Sequence, residues 1–361
     1  MKQIVVVTGT RPEIIKMAPV IRRLQAEGLP YVFVHCGQHY DYNMAEQFIE
    51  NLELPAPNFN LKIDATSPAG QTADILKQFD HVLSEVDPSI VLTQGDTNTV
   101  LATSLAANKR MVKVGHVEAG LRSFDLRMPE EHNRRLTDHI SNYLFAPTPR
   151  AKANLEKESI WGKIFVTGNT VIDAVDQHLL MVEKKATILN QVTFEKFALA
   201  TAHRAENVDD LAVLETFMEV FAESPLPIVY PMHPRTKKRL QESNLYNKVL
   251  EIKNVLVLPP LGYLDFLALM RHCSIIITDS GGIQEEATAP NIRKPVLVMR
   301  LSTERPEAVE AGFAKVVGTQ KKQILSALNE FDNWGKLPSV SPFGDGSSAK
   351  QIVDILKKEV L

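Results

Sequence analysis

Cysteine is nearly absent from this chain: of 361 residues only Cys36 and Cys273 carry a thiol, far apart and in apolar surroundings. That rules out a disulfide framework and leaves no C-x-x-C pattern for redox or zinc chemistry, so a reducing, cytoplasmic setting is expected. Charge of either sign is not in excess. Lys and Arg total 40 against 43 for Asp and Glu, a net charge of -3, which gives no global attraction to nucleic acid or to an anionic membrane. Long apolar runs are missing too. Ile4 to Val7 is soon interrupted by Arg11 and Glu13, too early for a signal peptide, and nothing elsewhere approaches the roughly 20 apolar residues of a membrane span.

Two nucleotide signatures are also lacking. No G-x-G-x-x-G follows a strand-like run, and there is no G-x-x-x-x-G-K-[ST], which disfavours a dehydrogenase or a kinase. The 10 histidines show no H-E-x-x-H or similar ligand spacing, so no metal and no cofactor is expected.

What is present is a regular alternation of short Val- and Ile-rich runs with longer amphipathic stretches, the mark of parallel sheets with crossover helices. Strands are expected near 3–8 (QIVVVT), 31–36, 89–94 (SIVLTQ), 112–117, 143–147 and 163–167, six in the first half. Six more are expected near 197–202 (FALATA), 227–232, 254–258, 274–278 (SIIIT), 295–299 and 314–317. The fold class is therefore α/β, two Rossmann-like domains with a ligand in the cleft between them. The expected first domain is 1–169 plus a returning helix at about 346–361, and the second is 170–345. Thr10 and Glu13 read as a capping box with Pro12 in the first turn of a helix that Gly28 stops.

Ligands of open α/β sheets bind beyond the carboxyl ends of the strands. In the first half those ends read GTRPE, GDTNT and HVEAG, bringing Arg11, Lys16, Asp96 and Glu118 to one rim, with Glu130 and Glu131 in the PEEHNRR stretch that follows. In the second half, Ser280, Gly281 and Gly282 follow a strand and open a helix, so that a phosphate could approach unpaired N–H groups. Arg305 starts a neighbouring helix within reach of the same anion, and His203 and His233 lie at two further strand ends. Each has a plain structural explanation as well. Asp96 and Glu118 could cap helices, Glu130 and Glu131 are ordinary first-turn acids, Arg11 and Lys16 could be solvated, and SGG could simply make a loop. Convergence of the set on strand ends favours the functional reading.

The motifs GTRPEIIKMAP, QGDTNTVLA, GHVEAGLRS, MPEEHNRRLTDHIS, VTGNTVID, SGGIQEEA and TERPEAVEAG, in this order from 8 to about 320, resemble the non-hydrolysing UDP-N-acetylglucosamine 2-epimerases. That resemblance implies a glycosyltransferase-B type fold, a homodimer, and interconversion of UDP-N-acetylglucosamine and UDP-N-acetylmannosamine. Without NAD to oxidise C3, the C2 proton is reached by eliminating UDP to a 2-acetamidoglucal and adding it back. By the family's motifs the catalytic groups are Asp96, Glu118, Glu130 and His203. UDP contacts fall on Arg11, Lys16, His233, Ser280, Gly281, Gly282 and Arg305, with Phe266 beside uracil and Glu286 on the ribose. The stretch 37–44 departs from the Q-H-x-E-x-x-D-Q pattern of members that substrate activates, which argues against such activation here. A hydrolysing epimerase releasing N-acetylmannosamine, a glycosyltransferase of the same fold, and a catalytically silent sensor are the other readings. The row of first-domain carboxylates counts against the last two.

Overall fold

A computed structural model describes residues 3–38 and 42–361, without the side chains of 38 and 42–45. Residues 39–41, in the stretch that bears on substrate activation, lie outside the described residues. The chain divides into two compact units, Met1–Ala174 with Phe343–Leu361, and Val175–Pro342.

In the first unit seven strands form one sheet: β1 (Ile4–Thr8), β2 (Tyr31–Gln38), β3 (Phe59–Ile63), β4 (Ile90–Gln94), β5 (Lys113–Val117), β6 (Tyr143–Ala146) and β7 (Lys163–Val166). Their order is β3-β2-β1-β4-β5-β6-β7, all parallel. The second unit holds β8 (Ala198–Thr201), β9 (Ile228–Pro231), β10 (Val255–Leu258), β11 (Ile275–Thr278), β12 (Val296–Val298) and β13 (Ala314–Val316), in the order β10-β9-β8-β11-β12-β13. Both are doubly wound sheets, and the strand order reverses between β1 and β4 in one and between β8 and β11 in the other. The central strands read as unbroken apolar runs because helices cover both faces: β1, β4, β8 and β11 are buried along their whole lengths.

The expectation of six strands in the first half is corrected to seven. The added strand, β3, has the sequence FNLKI and lies at the sheet edge, where only Leu61 and Ile63 are buried. A half-covered edge strand with Asn and Lys on its open positions lacks the continuous apolar run that marks the others.

The helix Arg11–Ala26 starts with Pro12 in its first turn and buries Ile14, Ile15, Ala18, Ile21 and Leu24. Gly28 ends it at φ 63°, with Gly28 N donating to Gln25 O and Leu29 N to Leu24 O, a left-handed turn that glycine adopts without a Cβ penalty. The expected capping box takes a different form. The Thr10 side chain at the N-cap accepts from no backbone N–H of the helix; its hydroxyl instead donates to Glu13 Oε1 at 3.0 Å.

The last helix, Ser348–Glu359, buries Ala349, Ile352, Val353 and Leu356 at helical spacing and packs on Arg11–Ala26. Its first N–H groups are taken by the buried Asp173, which accepts from Ala349 N at 2.9 Å and Ser348 N at 3.2 Å. Lys357 pairs with Glu27 at 2.8 Å, and the Tyr143 hydroxyl donates to Glu359 O at 3.0 Å. No helix among the described residues is long and apolar enough to cross a membrane. Because Ile352 is fully buried, Ile352→Ala is expected to cost about 2–5 kcal/mol of stability in urea denaturation. An unchanged midpoint would show that this helix is not part of the first unit's core.

Candidate active site

In the first unit the polar residues gather where β1, β4 and β5 end, and these three strands are adjacent in the sheet. Lys16 is on the first helix, which leaves β1 by a two-residue turn, and its ammonium forms an ion pair with Glu118 just past β5. Both side chains are buried, at 10% and 7% exposure. Glu118 Oε2 also accepts from Asn169 Nδ2 at 3.0 Å. The glutamate itself sits at φ 69°, a left-handed conformation that side chains bearing a Cβ rarely adopt and that clusters at functional sites.

Asp96, past β4, accepts from Arg134 Nε at 3.1 Å, and its backbone carbonyl accepts from Asn133 Nδ2 at 3.0 Å. Neither carboxylate caps a helix. The N-cap of the helix after β4 is Thr97, and Glu118 precedes an irregular stretch. Arg134 also donates to Glu131 at 2.9 Å, and Glu131, fully buried, accepts from Ser123 N and Oγ at 2.9 and 3.0 Å. Of the neighbouring acids, then, Glu131 builds the loop and Glu130 stands exposed on the first helical turn. Arg11 is exposed with its guanidinium over the Phe48 ring, 5.8 Å from the centroid. It also borders a cavity of about 470 Å³ lined by Thr10, His35, Gln71, Thr97 and Asn98.

Glu13 joins this rim from beneath. It accepts from Gly9 N at 2.6 Å, Thr10 Oγ1 at 3.0 Å and Thr97 Oγ1 at 2.8 Å, tying the turn after β1 to the turn after β4 beside Asp96. Burial raises its carboxyl from 4.5 to about 7 even though those three bonds favour the ionised form.

The second unit assembles a different set at the ends of β8, β9 and β11. Asp279, fully buried, accepts from His203 N at 2.9 Å, Arg204 N at 2.9 Å and Asn207 Nδ2 at 3.2 Å, and so fixes the turn after β8. His203 Nδ1 lies 3.2 Å from Asp279 Oδ1, and the His203 and His233 rings are 5.4 Å apart. Burial holds His203 below its ordinary value, against the pull of Asp279, and His233 is lowered chiefly by burial and then by His203. Both imidazoles are therefore neutral at pH 7.

Ser280 leads into the short helix Gly281–Glu286. A Cβ on Gly282 would meet nothing within 4 Å, and the atoms nearest to one on Gly281, from the Glu304, Arg204 and Arg305 side chains, are at ordinary contact distances of 3.6 to 3.9 Å. Protein packing thus gives no reason for either glycine. What their small size does provide is an open approach to the first N–H groups of the helix, as an anion requires. Arg305 Nε donates to the buried Glu285 at 2.5 Å. Arg300 reaches Glu304 at 2.8 and 3.0 Å, and although burial alone would raise Glu304, Arg300, with Arg204 and Arg305 nearby, brings it to about 2. Phe266 and Tyr263 share the helix Tyr263–His272; burial raises the Tyr263 hydroxyl, and the charge of nearby Glu286 adds to it.

Sequence reasoning assigned Glu13 only to a capping box and gave no role to Arg134, Asn169 or Arg204. Glu13, Arg134 and Asn169 lie inside the quoted motifs and Arg204 follows His203, but their partners are up to 100 residues away, as with Glu304 for Arg204. No local spacing announces such pairs.

Two doubly wound parallel sheets, with acids at the switch point of one and an open glycine turn at that of the other, define the class: an α/β enzyme of glycosyltransferase-B type. A family model for UDP-N-acetylglucosamine 2-epimerase matches residues 22–357. The UDP-N-acetylglucosamine 2-epimerase of Methanocaldococcus jannaschii is 45% identical over 97% of this chain and 98% of that protein. The crystal structure of the Methanocaldococcus jannaschii UDP-GlcNAc 2-epimerase in complex with UDP-GlcNAc and UDP has a TM-score of 0.89 at 45% identity, covering 99% of this chain and 100% of the other. That of the Neisseria meningitidis enzyme bound to UDP-GlcNAc has a TM-score of 0.88 at 38% identity, with coverage of 99% and 100%. The chain belongs to the UDP-N-acetylglucosamine 2-epimerase family, and it is an isomerase.

The raised carboxyl of Glu13 sets a pH dependence. Between its unfolded value of 4.5 and its folded value of about 7, the folded state binds the extra proton, so stability falls as pH rises through this window and levels off above it. Relative to Glu13→Gln, the wild type should lose on the order of 3 kcal/mol between pH 4.5 and 8. Urea denaturation at several pH values measures this. Parallel curves for the two proteins would mean that folding does not raise the Glu13 carboxyl.

Proposed function

We propose that the protein interconverts UDP-N-acetylglucosamine and UDP-N-acetylmannosamine by elimination and re-addition of UDP. The observation that carries this reading is the pairing of Asp96 with Arg134 and of Glu118 with Lys16 at the ends of the adjacent strands β4 and β5. Epimerisation at C2 needs groups that remove a proton from one face and return one to the other.

In the forward direction a carboxylate takes the C2 proton as the C1–O bond breaks. The C–H electron pair becomes the C1=C2 bond of 2-acetamidoglucal, and the C1–O pair leaves with UDP. In the return step C2 is protonated on the opposite face while a UDP phosphate oxygen bonds to C1, so atoms and charge balance without an external oxidant. Asp96, Glu118 and Glu130 are the proton-handling groups, with the neutral His203 as a further acid–base or diphosphate contact. Lys16 and Arg11 belong to the same rim and offset the negative charge that develops there.

The second unit holds UDP. Ser280, Gly281 and Gly282 offer backbone donors to the diphosphate, Arg305 and His233 add side-chain donors, and by family resemblance Phe266 lies along uracil and Glu286 accepts from the ribose. The division of labour follows the two units: Met1–Ala174 with Phe343–Leu361 for the proton, Val175–Pro342 for the nucleotide. The reading also makes the protein a cytoplasmic homodimer. The two cysteines, free and buried, fit a reducing compartment.

Incubation with UDP-N-acetylglucosamine in deuterated water, followed by NMR, tests the function. The expected product is UDP-N-acetylmannosamine labelled at C2 with no stoichiometric free sugar. An unlabelled C2 with no epimer would overturn the reading, and accumulation of free N-acetylmannosamine would establish the hydrolysing reaction in its place. For the residues, Asp96→Asn and Glu118→Gln should each slow C2 exchange by roughly 10²–10⁴-fold while UDP still binds. Wild-type exchange in either variant would remove that carboxylate from the mechanism.

A further inference from the structure

His116, on β5, takes no part in this chemistry, yet it is fully buried between two polar partners. Its Nε2 lies 2.8 Å from the carbonyl oxygen of Gly95, the residue before Asp96. Its Nδ1 lies 2.7 Å from Asp138 Oδ1. A carbonyl oxygen can only accept, so Nε2 carries a hydrogen and donates it. The short contact at Nδ1 then holds one more proton, whether on the ring or on the carboxyl. Either way His116 and Asp138 are neutral in sum, which is what burial without solvent favours.

Asp138 is held from its other side. Its Oδ2 accepts from Gly120 N at 3.2 Å and pairs with Arg122 Nη1 at 2.8 Å. Arg122 in turn donates from Nε and Nη2 to Glu158 at 2.9 and 2.8 Å, so the charge of the guanidinium is also matched. An unbroken run of hydrogen bonds thus connects Gly95 O, His116, Asp138 and Gly120 N. One end is the turn that presents Asp96, with Gly95 at φ 87°, and the other is the turn that presents Glu118, with Glu118 at φ 69° and Gly120 at φ 84°. The two turns also meet directly, Gly95 N donating to Val117 O at 3.2 Å, and the buried run adds a side-chain tie to that single backbone bond.

We propose that His116 and Asp138 are positioning residues that set Asp96 and Glu118 at their working separation, an assignment that rests on the epimerase reading. The pair does not relay a proton to substrate, since Nε2 is closed by a backbone carbonyl and both side chains are fully buried. A displacement of about 1 Å at a reacting group can cost on the order of 100-fold in rate. Loss of the tie is therefore read in the chemical step, not in nucleotide binding.

Two substitutions cut the run at different places. A glutamine amide reaches the position of Nε2, so His116→Gln keeps the bond to Gly95 O and gives up Asp138. An asparagine amide reaches only the position of Nδ1, so His116→Asn keeps Asp138 and releases Gly95. C2 deuterium exchange, KM and UDP affinity are measured on the full chain, with thermal unfolding as a check. His116→Asn should slow exchange at saturating substrate by about 100-fold, and His116→Gln should recover at least a few-fold of that loss, with KM and UDP affinity within about threefold of wild type. Exchange within twofold of wild type in His116→Asn would overturn the proposal. So would losses of exchange and UDP affinity in parallel, the mark of a general structural defect. If His116→Asn does not fold, His116→Gln decides by the same comparison: slowed exchange with UDP affinity kept supports the tie, and unchanged exchange rejects it. Wild-type protein in the same assay separates the two claims, since a wild type that exchanges no deuterium rejects the epimerase reading, whereas active wild type with unaffected variants rejects only the tie.

Discussion

Taking a carboxylate out of water costs several kcal/mol unless cations or N–H groups replace the lost solvent, and the first unit is arranged around meeting that cost repeatedly. Glu118 has Lys16 and Asn169, Asp96 has Arg134, Glu131 has Arg134 and the Ser123 backbone, Asp138 has Arg122 with His116, and Asp173 has the first turn of the last helix. Apart from Glu131 and Arg134, which share a helix, each acid meets a partner from another segment. Satisfying the acids therefore fixes how the turns after β4 and β5 and the helix Pro129–Ile140 lie on the sheet. Glu13 is the exception. With only N–H and hydroxyl donors around it and Asp96 close by, it holds its proton up to about pH 7.

The second unit meets the same requirement with arginines. Arg305 is held by Glu285 and Arg300 by Glu304 and Glu206, so the guanidinium groups near the Ser280–Gly282 turn are oriented before any anion arrives. Ordering long side chains in advance removes an entropic cost from binding. Asp279 does the same for the backbone of His203 and Arg204, and the Thr201–Thr278 hydroxyl pair at 2.6 Å ties β8 to β11 where the strand order reverses.

Much of this was legible in the amino-acid sequence because it is local. Buried parallel strands announce themselves as Val and Ile runs, and their carboxyl ends can be read directly, so Asp96, Glu118 and the Ser280–Gly282 turn could be picked out before any coordinates. The edge strand β3 could not, because Asn60 and Lys62 interrupt its apolar pattern. Nor could the Thr10 hydroxyl that serves Glu13 in place of the helix, the left-handed Glu118, or the Asn169 contact. Those depend on which side chains arrive from distant segments: Glu118 meets Lys16 across 102 residues and Asn169 across 51. Periodicity places residues on faces, but it does not choose partners at that separation.

The first unit is discontinuous, and this affects how the protein is made. On the ribosome, Val175–Pro342 emerges before Phe343–Leu361, so the second unit has its whole sequence available while the first still lacks its last helix. Until Ile352, Val353 and Leu356 arrive, the nascent chain carries an uncovered apolar surface, and Asp173 has no Ser348 and Ala349 N–H groups to accept from. The N-terminal part of the molecule thus begins folding first and completes folding last, and the interval between the two events is when this chain is most exposed to aggregation and to chaperones.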